Sequence, residues 1–164
     1  MLIRISKAAL IHDVANMAFV IADIYAGRYE GHGLHQVTDI CQEGNIDRVA
    51  RVAGLAFAKA SSALSAIVVP ETKKRILDLS AEVHDYVLRL RVCDGRHIPG
   101  FVKTSTAIRI KETLHEYMVC MILADWLGVT LPEAAPEWKE RAERCLSALA
   151  SSGLGWYRRR LTPI

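Results

Sequence analysis

The fold of this chain is decided by residues 108–129, which read IRIKETLHEYMVCMILADWLGV. Apolar side chains recur there every three or four residues, and from 117 to 127 they surround the helix on nearly every side except at Asp125. A helix that is apolar all round is buried by its neighbours. The stretch therefore predicts a central helix that places Met118, Met121 and Trp126 in the core.

Helical periodicity continues on both sides of this stretch. It predicts inward-facing stripes over residues 10–24, 46–67, 76–90 and 138–149. A short helix is expected near His35–Cys41, within residues 28–44, which are otherwise the least regular part of the chain. No segment of useful length alternates with the period of a strand. The sequence thus predicts an all-α fold, a single-domain helical bundle of about five helices with short connectors.

Several residues predict where the helices begin, end and pack. Asn45 suits the N-cap of the helix over 46–67, and Gly128 suits the C′ position of the central helix. The last helix begins either at a capping box over residues 130–133 or at Pro136. A row of small side chains predicts that the helix over 46–67 packs closely between two others. That row consists of Gly54, Ala58, Ser61 and Ser65.

Composition narrows the class of protein. The chain has 164 residues, a one-domain length, and 51% of them are hydrophobic. Lysine and arginine number 21 against 18 acidic residues, so the run Arg158–Arg160 equals the whole positive excess. Balanced charge elsewhere argues against a broad nucleic-acid surface. No apolar run reaches the ~20 residues of a bilayer span, and four cysteines without a CxxC motif predict a reducing, cytoplasmic setting.

Candidate metal ligands occur, but no complete set does. Glu112-x-x-His115 has the spacing of carboxylate-bridged di-metal bundles, which need a second such pair and further carboxylates. The dipeptides at His12 and His84 each spell the HD of metal phosphohydrolases. Those enzymes also need an upstream histidine and a distant aspartate, roles for which His35 and Asp125 are the candidates. We therefore predict no metal and no cofactor, with a solvated helix face as the simpler interpretation of Glu112 and His115.

Two further patterns bear on catalysis. Arg109 and His115 echo the arginine–histidine pair of helical ribonuclease domains, but six residues along a helix leave side chains about 120° apart. Glutamates 137, 140 and 143 resemble half of a nucleotide pyrophosphatase motif, and the basic residues between them indicate surface ion pairs instead. No catalytic residue is predicted. A small helical enzyme, either a metal-dependent phosphohydrolase or nuclease-like, or a nucleic-acid-associated factor, stays open as the alternative.

The C-terminal segment is the candidate binding element. Residues 1–155 are expected to form the bundle, and residues 156–164 a basic aromatic tail after Gly153 and Gly155. Aromatic and arginine side chains are enriched in interface hot spots, which predicts a protein partner or self-association there. The predicted partner-binding residues are Trp156, Tyr157, Arg158, Arg159 and Arg160. In the simpler interpretation, Trp156 packs back on the bundle. Nucleic acid is the less favoured partner, and no membrane is expected.

The last third of the chain also resembles a known class of proteins. The order EYMVCMILADWLG, a proline-bearing linker, an amphipathic helix and a terminal RRRLTP is similar to small all-helical phage and prophage head–tail connector (neck) proteins. The likeness covers about the last 55 residues. It implies a non-enzymatic, ring-forming structural protein with no catalytic residues, which would be part of a virion.

Overall fold

The computed structural model describes residues 2–26, 35–65, 67–68, 85–90 and 100–161, with side chains described over 105–152 in the last range. Within these residues the predicted all-α architecture is confirmed, because five helices account for most of the chain and only one small sheet accompanies them. The elements are β1 (Leu2–Ile5), α1 (Lys7–Ala26), α2 (His35–Thr38), α3 (Ile46–Ala63), β2 (Tyr86–Arg89), α4 (Gly100–Thr130) and α5 (Ala135–Leu161). A 3-10 turn, Asp39–Cys41, follows α2.

Helix α4 is the centre of the molecule, as its composition predicts. It packs against α5, α3, α1, α2 and β1. Four consecutive residues, Tyr117 to Cys120, are all buried, which requires neighbours on most sides of the helix. Met118 is fully buried and Trp126 nearly so, while Met121 is half-buried against the same core. The core prediction is therefore confirmed for Met118 and Trp126, whereas Met121 lies at the edge of the core.

The prediction of a helix over residues 76–90 is wrong at the C-terminal end of that range. Residues 86–89 form strand β2, which pairs antiparallel with β1, and residues 69–84 lie outside the described chain. The register places Ile3 opposite Leu88, and both side chains are buried on the inner side of the sheet. Leu88 and Leu90 are both buried, two residues apart, as the period of a strand requires. A strand of four residues is too short for this period to show in the sequence without its pairing partner.

The helix boundaries agree with the predictions at the starts of α3 and α5 and differ at the end of α4. Asn45 is the N-cap residue of α3, as predicted, but its side chain makes no capping hydrogen bond, and its Nδ2 instead donates to the Asp39 carbonyl at 2.9 Å. Gly128 lies inside α4, which continues to Thr130. Because α5 begins at Ala135, the proline of its first turn is Pro136, and the capping box over 130–133 is not used.

The small-residue row of α3 does not mark a buried face. Ala58 and Ser65 are exposed, and a side chain added at Gly54 would meet nothing within 4 Å. Helix α3 instead packs on α4 and α5 through its alanine and valine stripe. Small side chains permit close helix approach without requiring it, so the prediction of tight packing along this row is wrong.

The last helix turns the predicted face inward. Trp138, Ala142 and Leu149 are buried, and Cys145 is partly buried. Its backbone stays helical through Gly153 and Gly155 to Leu161, so the glycines do not end it. The expected boundary between residues 155 and 156 therefore falls within the helical backbone of α5.

Candidate functional site

Asp13 and His115 meet between α1 and α4, 102 residues apart in sequence. The His115 Nε2 lies 2.7 Å from the Asp13 Oδ2. The histidine side chain is 20% exposed and the aspartate 50%. The contact joins one half of the HD dipeptide at 12–13 to the histidine of the Glu112-x-x-His115 pair. Neither pattern alone predicts this contact, because it depends on how α1 and α4 pack against each other.

This pair has a definite chemical capacity. A carboxylate beside one ring nitrogen fixes the imidazole tautomer and its orientation. The other ring nitrogen, Nδ1, then remains as the atom that could exchange a proton with a bound molecule. The pair also links two core helices. Asp13 therefore holds His115 in a fixed orientation, which is one requirement of a general-base site.

The other candidate ligands are not brought to this pair. Glu112 is exposed on α4. Asp85 accepts a hydrogen bond from the Lys7 backbone N–H at 3.3 Å and so helps to cap α1. Asp125 accepts from the Arg48 Nε at 2.8 Å. Over the described residues, no group of three His, Cys, Asp or Glu side chains could hold a metal ion.

The remaining sequence candidates are also apart. The His12 Nε2 lies 3.0 Å from the Asn16 Nδ2 on the same helix. His35 is exposed at the start of α2, and Arg109 is exposed on α4. His84 lies outside the described residues. The structure therefore does not place these groups together with His115 and Asp13.

The Asp125–Trp126 dipeptide of α4, which is part of the sequence resemblance, contacts both α2 and α3. The Trp126 Nε1 donates to the Val37 carbonyl of α2 at 3.0 Å. The Arg48 guanidinium of α3 lies 5.7 Å from the centre of the Trp126 ring, and it also binds the Asp125 side chain and carbonyl. Buried indole N–H groups need such a partner. These contacts give the dipeptide a structural role.

A polar cluster joins α4 and α5. Glu116 Oε1 lies 2.6 Å from an Arg141 guanidinium nitrogen, and the Cys120 Sγ is 3.7 Å from the same carboxylate oxygen. Burial, and secondarily the Glu116 charge, raises the pKa of Cys120 to about 12. Burial also raises the pKa of Cys145. Both thiols therefore stay protonated at neutral pH, which makes them poor nucleophiles.

The three glutamates of α5 lie on the surface of the protein. The Glu140 carboxylate pairs with Arg144 at 4.0 Å, and both side chains are largely exposed. Arg141 lies 5.2 Å from the centre of the Trp138 ring while it binds Glu116. These are the ion pairs that the interleaved charges predict.

Helix α1 has a second apolar side that faces solvent. Its inner side is buried through Leu10, Val14 and Ile21. Ile24, expected in that inner stripe, is instead 59% exposed, and Phe19 and Val20 are 67% and 49% exposed. We call the exposed residues His12, Asn16, Phe19, Val20, Asp23 and Ile24 the outer face of α1.

Sequence reasoning missed this surface although its signal is present. Phe19 interrupts the polar residues of α1, and the helix is apolar on both sides of its axis. A helix with two apolar sides and only one bundle to pack against must expose one of them. The one-stripe interpretation assigned Ile24 to the core and left Phe19 without a role.

One described helix, α1, is long and apolar enough by length and composition to cross a membrane. Only 28% of its apolar window is buried inside the molecule. The same helix carries core residues such as Val14 and the Asp13–His115 link to α4. Core helices of soluble proteins share this composition, and the packing of α1 is compatible with a soluble protein.

The predicted partner-binding residues Trp156, Tyr157, Arg158, Arg159 and Arg160 lie on the helical backbone of α5. Their side chains are outside the described part of the structure. Their role in binding therefore stays a prediction.

In comparisons with known proteins, no family model, no curated protein and no solved structure matches this chain.

Proposed function

We propose that this chain is a non-enzymatic structural or assembly protein that works through protein–protein contacts. The observation that carries this proposal is the outer face of α1, where Phe19, Val20 and Ile24 are all about half exposed or more. These three side chains lie within two turns of one helix, and grouped exposed apolar side chains of this kind are typical of an interaction site. The described core is otherwise well segregated, because none of its fully buried positions is a charged residue.

The energetic argument compares two states of this face. Burial of a large apolar side chain contributes about 1.5–3 kcal/mol relative to leaving it in water. Three such side chains near one another on a single helix offer a partner several kilocalories per mole of apolar contact. A helix is also a rigid support, so little ordering is required on binding.

The tail adds a second proposed contact. Trp156, Tyr157 and the three arginines offer aromatic area and multiple hydrogen-bond donors in a short segment. We infer that they bind a protein partner or another copy of the chain. The support is compositional: the run Arg158–Arg160 equals the net charge of +3.

The finer proposal is a phage or prophage head–tail connector component, with the cytoplasm as its site of synthesis and the virion as its destination. Its support is the sequence pattern of the last third, together with a helical architecture of the kind that pattern implies. Connectors act as closed oligomers, so the proposal requires self-association or binding to a ring-forming partner.

The test measures native mass and metal content on the same preparation, purified without a metal-affinity tag. Light scattering should give a mass above that of the 18.2 kDa chain, and elemental analysis should find no stoichiometric metal. A monomer that carries stoichiometric zinc, iron or manganese would contradict the assembly proposal and favour the enzyme alternative.

The Asp13–His115 pair favours one second candidate, a small helical hydrolase of phosphate esters. A histidine oriented by a carboxylate is a competent general base, and divalent metal could be supplied in solution. Hydrolysis of bis(p-nitrophenyl) phosphate, with and without Mg²⁺ or Mn²⁺, tests it. Activity that falls at least tenfold in both His115→Asn and Asp13→Asn, but not in Glu112→Gln, would support this candidate.

A further inference from the structure

We propose that the outer face of α1 binds the same face of a second copy of this chain, with the two α1 helices antiparallel. This inference rests on the proposed function and deepens it by naming the partner. It concerns a surface that the sequence patterns did not identify.

The outer face is laid out as a line along the helix. His12 and Asp23 are eleven residues apart, which is close to three full turns, so they lie on the same side about 16 Å apart. Asn16, Phe19 and Val20 lie between them on that side. The polar residues His12 and Asp23 therefore bound a centre that contains Phe19, Val20 and Asn16.

The charges select the direction of the second helix. A twofold axis between residues 17 and 18 places His12 of each copy beside Asp23 of the other. Parallel helices in register would instead bring the two Asp23 carboxylates together, which is destabilising. Because the Nε2 of His12 lies against Asn16, the Nδ1 remains to donate to the carboxylate of the second copy. The pattern is self-complementary only in the antiparallel arrangement.

The helix dipole acts in the same direction. Asp23 lies in the last turn of α1, where the partial negative charge of its own helix disfavours a carboxylate. An antiparallel neighbour brings its N-terminal half, with the opposite partial charge, alongside that turn. The described residues of one chain provide no ion pair for Asp23.

The same residues argue for a protein partner over a lipid surface. A helix that lies on a membrane typically shows an uninterrupted apolar side and a polar side rich in lysine and arginine. On the outer face, Asp23 and Asn16 interrupt the apolar residues, and Asp23 would be repelled by anionic lipid. In the antiparallel pair Asp23 meets the His12 imidazole of the second copy, a partner that a bilayer does not offer.

The size of the face predicts a weak contact. The outer face runs from His12 to Ile24, about 18 Å along a helix that is about 10 Å wide, which gives a footprint of roughly 200 Å² per copy. A stable interface of standard size buries about 800 Å² per partner. The α1 pair should therefore form at high protein concentration and dissociate on dilution.

Sedimentation equilibrium of the full chain over a wide concentration range tests the proposal. The wild-type chain should show a reversible monomer–dimer equilibrium, and Phe19→Ser should weaken the dimer at least tenfold. Leu55→Ser on α3 is the matched control, because Leu55 is as exposed as Phe19 at 67%. The control should dimerise like the wild type, and circular dichroism should show that all three chains are folded.

A charge exchange tests the antiparallel pairing itself. His12→Asp puts a carboxylate against Asp23 of the second copy and should shift the chain towards monomer. The double variant His12→Asp with Asp23→His restores the same pairing with the roles exchanged, and should recover most of the wild-type affinity. A double variant that is weaker than either single variant would overturn this register.

Other outcomes separate this inference from the proposed function. A chain that is monomeric at every concentration overturns the inference, as does a dimer that Phe19→Ser leaves unchanged. If deletion of residues 156–164 abolishes assembly while Phe19→Ser does not, the assembly function stands and the α1 pairing is wrong. Monomers that bind anionic phospholipid vesicles, and lose that binding in Phe19→Ser, would identify the surface as a lipid contact instead.

Discussion

Met118 and Val129 lie on the same helix in opposite environments. Met118 is fully buried in the centre of α4, whereas Val129 is 66% exposed near its end. Met118→Ala should lower the free energy of unfolding by about 2–5 kcal/mol, because the lost contacts leave a cavity. Val129→Ala should change it by less than about 0.5 kcal/mol, as at ordinary surface sites. Urea melts measure both, and equal losses would show that the core has been misassigned.

Cys120 makes the free energy of unfolding depend on pH in the alkaline range. Its folded-state pKa is raised to about 12, mainly by burial, whereas the pKa of an unfolded cysteine is about 8.5. The stability that this protonated thiol provides is therefore fully present below about pH 8.5 and is lost as the pH rises towards 12. Cys120→Ala should show a shallower fall in the free energy of unfolding between neutral and alkaline pH. Tyr86 and Tyr117, whose pKa values burial also raises, leave a residual slope. Identical slopes in variant and wild type would contradict this role.

At the level of residues, the sequence predicted the core better than the site. Met118 and Trp138 could be assigned because helical spacing reports which side of a helix is apolar. The Asp13–His115 contact could not, since it depends on how α1 and α4 are placed relative to each other. Ile24 shows the limit within one helix. Its spacing fits the inner stripe, but only tertiary packing decides which apolar side is covered.

The strand β2 provides a test at the level of elements. Leu88 is buried and its neighbour Val87 is 38% exposed, as the two-residue period of a strand requires. Leu88→Ala should lower the free energy of unfolding by about 2–5 kcal/mol, whereas Val87→Ala should lower it by less than about 1 kcal/mol. Thermal melts of the two variants suffice. A greater loss for Val87→Ala would favour another register or another element at this position.

Among the elements, length decided what could be predicted. The long helices α1, α3, α4 and α5 repeat their pattern over several turns, and each was expected near its observed position. Strands β1 and β2 have four residues each, too few for a period to show, and their pairing joins positions more than 80 residues apart. The hydrogen bond from the Asn45 amide to the Asp39 carbonyl likewise depends on the folded conformation of the turn between them, so the sequence alone does not predict it.

At the level of the molecule, the tail can be removed to separate folding from assembly. The last described buried residue of α5 is Leu149, so deletion of residues 156–164 should leave the bundle folded. The truncated chain should also lose partner binding or assembly, if the aromatic and arginine side chains supply that contact. Circular dichroism reports the folding and light scattering reports the mass.

Two results would contradict the docking role of the tail. A truncated chain that unfolds would indicate that Trp156 packs on the bundle. A truncated chain that stays folded, with unchanged mass and unchanged partner affinity, would leave the tail as a solubilising surface. The single variant Arg158→Ala, which should change the free energy of unfolding by less than about 0.5 kcal/mol, is the control for local charge loss.

The pairing of β1 with β2 has a consequence for the chain as it leaves the ribosome. Strand β1 and the apolar helix α1 are made about 80–100 residues before β2 and α4. At roughly 5–20 residues per second, the nascent α1 waits several seconds or more for α4, with its outer face exposed and its inner side covered at most by α2 and the 3-10 turn. During synthesis this N-terminal segment is therefore the part of the chain that a holding chaperone would engage, and its release depends on the emergence of α4.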